Sequence, residues 1–360
     1  MNPSTSVEDI SMEHMKIDHA SLERFASEAL RTSGVDAEEA KIVARIMVWA
    51  DLVGRFSQGV WRLPTYLRRF ESGSMRSPCN PDFIKKSEIM YVVDGHNGFG
   101  QYVGHLAMLK AIEIAGKHGV GMVGVRNSNH FGPGAYYVEM AAKDSKLGLA
   151  FTNAGRRVAP HGGIDGVLGT NPIAFGAPMR NGKSILVDLS TSESSGSMLR
   201  KAAEKGQKIR KGVLVDKSGK SVEDPNNAPQ AALLPFGGAK GFCLGLMVEI
   251  LSGVITGSSI SPEIPSAHLQ MEKSAKVGHQ FIAIDFSKLM TVENYWDRME
   301  ALIGTVKNSS KQAGVDEILI PGETRWRTDQ KQRTEGIDLD AKTIESLTSL
   351  AKNLKLSVPW

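Results

Sequence analysis

From about Glu88 onward, short apolar runs alternate with longer amphipathic stretches, and that rhythm admits few folds. It is the pattern of an α/β protein, in which strands of a sheet are covered by helices. Strands are expected at Ile89 to Val93, Val120 to Val125, Gly148 to Thr152, Ile173 to Ala177, Ile185 to Asp188 and Phe281 to Phe286. Helices are expected at Gln101 to Lys117, Gly134 to Lys143 and Lys240 to Leu251. Ahead of this region Asp18 and Asp36 stand as N-caps of two helices. The second, with Ala40, Ile42, Val43, Ile46, Met47 and Ala50 at helical spacing, delivers the chain into a glycine-flanked polar cluster that runs from Asp51 to Tyr66. Residues 1 to about 18 read as a loose tail, and Lys201 to Gln230 as an exposed excursion with turns at Asp216 to Gly219 and after Asp224. Towards the end, Val292 to Val306 and Ala341 to Leu354 are helical again, joined by Pro321-Gly-Glu-Thr and a charged linker.

A length of 360 residues with 41% hydrophobic residues gives ample core for one large domain or two to three intertwined ones. A formal charge of +4, from 43 basic and 39 acidic residues, is too weak to point to nucleic acid. Cys79 and Cys243 are far apart in sequence, and no Cys/His cluster has metal-ligand spacing, so neither a disulfide framework nor a metal site is expected. The N-terminus is polar and acidic, and nowhere do 18 apolar residues run together. These features lead to the expectation of a cytoplasmic protein without a membrane partner.

Gly98-Phe-Gly100-Gln-Tyr-Val-Gly104 follows an expected strand, yet Val103 stands where a Rossmann phosphate loop needs its third glycine. No Walker-type loop exists. Arg126-Asn-Ser-Asn-His130-Phe-Gly-Pro-Gly134 is more informative, because a strand ends, polar groups cluster, and glycines flank a histidine where a helix begins. Such a histidine can move a proton near neutral pH, and the helix start can meet an anion; a histidine that simply caps a turn satisfies the same local pattern. Leu168-Gly-Thr-Asn-Pro172 and Pro235-Phe-Gly-Gly-Ala-Lys240-Gly241 are turns whose polar groups lack an evident structural partner. Lys240 opposes the dipole of the helix it opens, a cost that an anionic ligand offsets. His161 reads as a loop histidine, and the basic run from Arg200 to Lys211 as solvated surface.

In order along the chain, Val93-Asp-Gly, Asn127-Ser-Asn-His-Phe-Gly, Phe151-Thr-Asn, Ala159-Pro-His-Gly-Gly, Leu168-Gly-Thr-Asn-Pro, Val187-Asp-Leu-Ser-Thr-Ser, Leu234-Pro-Phe-Gly-Gly-Ala-Lys-Gly and Pro321-Gly-Glu resemble the type-2 malate/L-lactate dehydrogenase family. The resemblance runs from about Asp36 to the C-terminus and implies a nicotinamide-binding α/β fold distinct from Rossmann. A helical domain built from both termini is expected, with residues 1–80 packing against 310–360 and residues 81–309 forming the α/β part that binds cofactor and substrate. It also implies NAD or NADP as cofactor, a small carboxylate substrate and a homodimer. By resemblance, Arg62 pairs with the substrate carboxylate, a bidentate task suited to guanidinium. Thr170 and Asn171 complete the substrate site. Phe131, Gly132, Gly134, Asp188, Leu189, Ser190, Lys240, Gly241, Pro321, Gly322 and Glu323 border the cofactor, and His130, Ser57 and Gln58 carry the chemistry.

One departure stands out: family members commonly read Ser-His-Gly before that arginine, and this chain reads Ser57-Gln58-Gly59. Glutamine is no general acid at neutral pH. The acidic residue that some imine-reducing members carry after the Asp188 segment is also replaced, by Ser197 or Met198. Three readings follow: a 2-hydroxy/2-keto acid oxidoreductase with His130 as acid/base, a reductase of a cyclic 2-imino carboxylate that needs no enzyme acid, or a cofactor-binding homologue without turnover. Arg156, Arg157, Arg325 and Arg327 are the basic residues from which a 2′-phosphate contact is drawn, and Trp61, Tyr136 and Phe175 are candidate neighbours of the substrate's side group.

Overall fold

Asp18 and Asp36 each accept a hydrogen bond from a backbone N–H of the first turn that follows, so the first two helices begin where the capping residues stand. The computed structural model describes residues 14–266 and 270–360. Its N-terminal part comprises β1 (His14–Ile17), α1 (His19–Thr32), α2 (Ala37–Leu52) and α3 (Leu63–Glu71). Next come β2 (Asp82–Lys85), β3 (Met90–Asp94), α4 (Gly100–His118), β4 (Val120–Ser128), α5 (Gly134–Lys143), β5 (Leu147–Thr152), β6 (Ile173–Pro178) and β7 (Ser184–Leu189). They are followed by α6 (Gly196–Glu204), β8 (Leu214–Val215), β9 (Ser221–Val222), β10 (Ala232–Leu233), α7 (Ala239–Glu249) and β11 (Val277–Ile284). The chain closes with α8 (Val292–Lys307), α9 (Glu323–Glu335), β12 (Ile337–Asp340) and α10 (Ala341–Leu354).

The central sheet has the order β2-β3-β4-β11-β5-β6-β7 and is mixed. Only β3 and β4 pair in parallel, and α4 makes the crossover between them. β11 lies antiparallel to both β4 and β5, with Phe281 opposite Val123 on one side and Ala150 on the other. α4 and α5 cover one face, where Val103, Ala107, Ala111, Tyr137, Val138 and Ala141 pack with Val123, Val125 and Phe281. A second core joins the two ends of the chain: Leu22, Phe25, Met47 and Leu67 meet Ile337, Leu339, Ile344 and Leu347. It is closed by β1 pairing antiparallel with β12.

Gly100 opens α4, and a Cβ there would lie 2.1 Å from the Asn129 carbonyl oxygen. The glycine therefore serves close packing beneath the 127–134 loop, as the wrong Rossmann spacing suggests. Three segments depart from the sequence reading. Residues 14–17 of the expected tail form β1, and the rest of that tail lies outside the described residues. The stretch 201–230 is no bare excursion, because β10-β8-β9 form a small sheet whose Leu214 and Leu233 bury Leu199 of α6. The charged linker after Pro321 is the helix α9, which carries no apolar stripe and is held by polar contacts, such as the Gln332 amide donating to the Asp51 and Leu52 carbonyls. No helix among the described residues is long and apolar enough to cross a membrane.

Candidate active site

The polar cluster after α2 is built around a buried carboxyl. Asp51 is 1% exposed and accepts the Val60 N–H at 2.8 Å. A Cβ at position 59 would lie 1.8 Å from Asp51 Oδ1, so only glycine lets the chain pass over this group. Two short 3-10 turns result, Phe56–Gln58 and Val60–Arg62, and Pro64 in the first turn of α3 continues them. Arg62 Nε donates to the Ser57 carbonyl at 2.6 Å, which ties the arginine to the Ser57-Gln58-Gly59 turn. Its two terminal nitrogens make no hydrogen bond or ion pair among the described residues, and the guanidinium lies over the Trp61 ring. Gln58 Oε1 is buried and likewise lacks a partner. Burial pushes the Asp51 carboxyl up to about 8, with Asp340 adding to the effect and the Val60 N–H opposing it.

His130 stands on the loop between β4 and α5. Asn129 staples that loop by donating to the Asn97 and Gly98 carbonyls, both at 2.9 Å. Phe131 is 2% exposed and stacks on His279 with centroids 4.7 Å apart. His279 is fully buried between Thr152 Oγ1 at 2.7 Å and Ser128 Oγ at 2.9 Å, and burial takes its pKa down to about 3. Gly132 turns the chain at φ +81, and its N–H donates to His130 Nδ1 at 3.3 Å. The Tyr66 hydroxyl meets the same Nδ1 at 2.7 Å.

α3 and the β4–α5 loop thus bring Arg62, Tyr66 and His130 together, with Arg69 beside Asn129. With the Gly132 N–H on Nδ1, that nitrogen is the acceptor and the Tyr66 O–H donates to it; the proton of the neutral imidazole then sits on Nε2, a tautomer assigned from these partners. Burial first, and the Arg62 charge second, hold His130 well below the usual histidine range. Burial raises the Tyr66 phenol while Arg62 draws it down, and burial lowers the Arg62 guanidinium. The result is a neutral histidine beside a half-buried cation that has no carboxylate partner.

The other expected residues occupy definite places. Asn171 is fully buried, and its amide donates to Glu249 Oε2 at 2.7 Å and the Gly245 carbonyl at 3.0 Å, while its oxygen takes the Ala154 N–H at 3.3 Å. All its polar atoms are engaged with the scaffold. Thr170 offers its carbonyl to the Thr191 N–H and hydroxyl. Gly134 lets α5 start directly on β6, since a Cβ would sit 2.8 Å from that of Ala174. Asp188 accepts the Ala135 N–H at 3.2 Å, and Arg325 Nη2 donates to the Asp188 carbonyl at 3.2 Å. Burial raises the Asp188 carboxyl and Arg325 opposes this. Leu189 is 44% exposed, and Ser190 Oγ donates to the Ser192 carbonyl. Lys240 is exposed in the first turn of α7, and Gly241 closes that turn by donating to the Phe236 carbonyl. The Pro321 carbonyl accepts the Leu186 N–H, Gly322 has φ +101, and Glu323 is held by Lys307 at 2.8 Å and Arg327 at 2.7 Å. No group of His, Cys, Asp and Glu among the described residues has the geometry to hold a metal.

Residues 17–348 match the family described as malate/L-lactate dehydrogenase. The chain is 37% identical over 331 residues to the malate/(S)-sulfolactate dehydrogenase of Methanothermus fervidus, which covers 92% of this chain and 96% of the relative. The chain belongs to the malate/L-lactate dehydrogenase family. It is an oxidoreductase. Among solved structures, malate dehydrogenase from Entamoeba histolytica superposes with a TM-score of 0.92 at 32% identity, over 96% of this chain and all of that one. Delta1-piperideine-2-carboxylate reductase from Pseudomonas syringae pvar. tomato gives a TM-score of 0.85 at 30% identity, over 94% and 100% of the two chains.

Sequence reasoning about this family member missed Tyr66 and Arg69. A signal for the first was present: Tyr66 lies four residues after Arg62, one helical turn on, and therefore on the same face of α3. It also missed Arg200, which the basic run to Lys211 disguised as surface. Arg200 lies over the Trp61 indole, with Cζ 4.2 Å from the ring centroid.

Proposed function

We propose that this protein interconverts a small 2-hydroxy carboxylate and its 2-keto acid with NAD or NADP. The observation that carries the reading is the union of unpaired Arg62, neutral His130 and the Tyr66 hydroxyl across two elements far apart in sequence. Donors for a dinucleotide are also present: the N–H groups of Ala239 and Lys240 at the start of α7 find no acceptor among the described residues, and Lys240 has no carboxylate partner. A helix N-terminus with a free lysine fits a pyrophosphate. Asp188 and the start of α5 complete the cofactor side of this reading. When bound, the dinucleotide supplies or accepts the hydride at the substrate's C2.

The chain's own residues bind, orient and move the proton. Arg62 clamps the carboxylate through its free nitrogens, and Gln58 Oε1, a buried acceptor without a partner, takes the hydrogen bond of the 2-hydroxyl. In reduction, His130 Nε2–H donates to the oxygen on C2 as negative charge develops there. The Tyr66 hydroxyl proton passes to Nδ1, and the resulting phenolate lies beside Arg62; oxidation runs the same transfers backwards. This relay lets a histidine that never becomes imidazolium deliver a proton. Ser57 orients Arg62 through its carbonyl, Thr170 borders the substrate, and Asn171 supports that edge from the scaffold. The reading keeps the two-part division, residues 1–80 with 310–360 against 81–309, with Arg62 and Tyr66 from the first part and His130 from the second.

The protein acts as a homodimer in this reading, supported by the apolar stripe of Cys243, Leu246, Met247, Ile250 and Val254 that α7 and the turn after it expose at helical spacing. Replacing Arg62 by Ala tests the assignment. KM for a 2-keto acid should rise about a hundred-fold, from the loss of charge-assisted bonds to the carboxylate. An unchanged KM rules out Arg62 as the clamp. The likeness to the piperideine-2-carboxylate reductase favours a second reading, a cyclic imino acid as substrate; turnover of that class alone in a substrate panel would establish it.

A further inference from the structure

The glycine-rich stretch that lacks Rossmann spacing carries a fully buried glutamine, Gln101, in the first turn of α4. The glycine before it fixes its place. A Cβ at Gly100 would lie 2.1 Å and 2.6 Å from the carbonyl oxygens of Asn129 and His130, so the helix starts directly against the His130 loop. The Gln101 side chain reaches Gly132, where a Cβ would lie 3.8 Å from its Cγ. Both atoms of its amide are buried and neither makes a hydrogen bond, a standing cost to stability. The amide stands beside the Tyr66 phenol. Burial raises that phenol, and Arg62, Gln101 and Arg69 draw it down, in that order. A side chain that favours the ionised phenol presents its N–H to it, not its oxygen. Arg69 is 5% exposed and forms no ion pair among the described residues; its Nη2 donates to the Lys273 carbonyl at 3.1 Å and Asn129 Oδ1 at 3.4 Å, and its buried Nε has no partner. From the other elements His130 and Tyr137 act on the same group, and the Tyr137 hydroxyl is committed to the Phe131 carbonyl. None of the groups acting on Tyr66 is a carboxylate. At rest its hydroxyl donates to His130, so the donors around its oxygen gain a charged partner only when that proton leaves.

We propose that Gln101 and Arg69 are positioning residues of the proton relay, holding a phenolate at Tyr66 while its proton is on His130. The inference rests on the relay between His130 and Tyr66 and adds the groups that receive the charge left behind. In reduction His130 Nε2 gives its proton to the oxygen on C2, and Nδ1 takes the proton of the Tyr66 hydroxyl. The phenolate oxygen then accepts the Gln101 N–H, with the guanidinium charges of Arg62 and Arg69 beside it. After the hydroxy acid leaves, water protonates Nε2 and the Nδ1 proton returns to the phenolate, which restores the resting tautomer. Donors already in place when charge appears need no reorganisation, so an amide left unbonded at rest serves the charged state.

The test is a double-mutant cycle of Gln101→Met, Tyr66→Phe and the two together, with kcat and KM read for a 2-keto acid that the wild type reduces. Gln101→Met should lower kcat about ten-fold with KM little altered, the loss expected for a hydrogen bond to a charged group. In Tyr66→Phe, which forms no phenolate, the same change should leave kcat where it is. Stability should not follow the rate: with no bond at rest to lose, Gln101→Met should resist guanidinium at least as well as the wild type. Arg69→Lys, which keeps the charge, should retain most of the rate that Arg69→Met loses. Fluorine NMR of protein labelled with fluorinated tyrosine needs no substrate; the resonance missing from Tyr66→Phe should titrate at a pH about one unit higher in Gln101→Met. Gln101→Leu is the second apolar variant should Gln101→Met fail to fold. An equal fall in kcat with and without the Tyr66 hydroxyl, a loss of stability in place of a loss of rate, or an unmoved titration overturns the proposal and leaves the Arg62 clamp intact. If the wild type reduces no 2-keto acid, the functional reading fails, and the titration alone then decides whether Gln101 holds the phenolate.

Discussion

Replacing Asp51 by Asn should spare the protein a loss of stability that rising pH brings to the wild type. Asp51 lies beneath the turn that carries Gln58 and Arg62, and burial pushes its carboxyl up to about 8 from the ordinary 3.8 of an aspartic acid. The sign follows from proton counts. Between those two values the unfolded chain has lost the proton and the folded protein keeps it, so the stability that this group contributes is full below about 4 and is lost as pH rises towards 8. The slope is about 1.4 kcal/mol per pH unit, which gives at most about 6 kcal/mol over the window and about 4 kcal/mol by pH 7. Asparagine retains an oxygen for the Val60 N–H and does not titrate, so its stability curve lacks this decline. Guanidinium unfolding of both proteins at intervals between pH 4.5 and 8 measures the difference. The gap in favour of Asp51→Asn should widen with pH. Parallel curves would show that Asp51 is already ionised in the folded protein and that the carboxyl is less isolated than its burial implies. Ionisation near pH 8 should also loosen the turn that ties Ser57 to Arg62, so KM for a carboxylate substrate should rise in the wild type as pH passes 8 and stay flatter in Asp51→Asn.

Removing the hydroxyl in Tyr66→Phe leaves His130 Nδ1 with only the Gly132 N–H, so kcat should fall about 10²-fold with KM little altered, as loss of a proton donor requires. A wild-type kcat and pH profile in this variant would refute the relay. Gln58→His removes the buried amide oxygen proposed to hold the 2-hydroxyl and should lower kcat/KM; a faster enzyme would show that proton donation by His130 and Tyr66 is what limits the wild type. Asn171→Ala leaves the buried Glu249 carboxylate short of one donor and should cost about 1–3 kcal/mol of stability in chemical denaturation, whatever its effect on turnover.

How much of this was legible depended on whether a segment's physics is local. α4 and α5 follow from helical spacing of apolar residues over glycine starts, and β5, β6 and β7 from short apolar runs, and these appear within a residue or two of their expected ends. β11 was read too late in the chain because its first half, Val277 to Gln280, holds His279 and Gln280, polar groups that are buried only because neighbouring strands and loops surround them. α9 has no apolar periodicity to detect; its stability comes from pairs such as Glu323 with Lys307 and Arg327 and from contacts to α2 distant in sequence. The same distinction holds at the site. His130 is singled out by its glycine-flanked motif and Arg62 by resemblance, whereas the Tyr66 contact to His130 and the Arg200 contact to Trp61 join residues more than sixty positions apart and exist only in the fold. The Gly59 requirement was equally hidden, since nothing near it in sequence announces that Asp51 packs against its Cα.

The central claim is hydride transfer to C2 of a small carboxylate with His130 as the proton carrier. The most direct measurement is deuterium transfer from 4-deuterated NADH and NADPH to a panel of 2-keto acids, followed by NMR of the product in wild type and His130→Ala. Deuterium at C2 of the hydroxy acid in the wild type, with the rate reduced at least about 10²-fold in His130→Ala, is the predicted result. Absence of label at C2 for every keto acid with both cofactors, or an undiminished rate without His130, would contradict it.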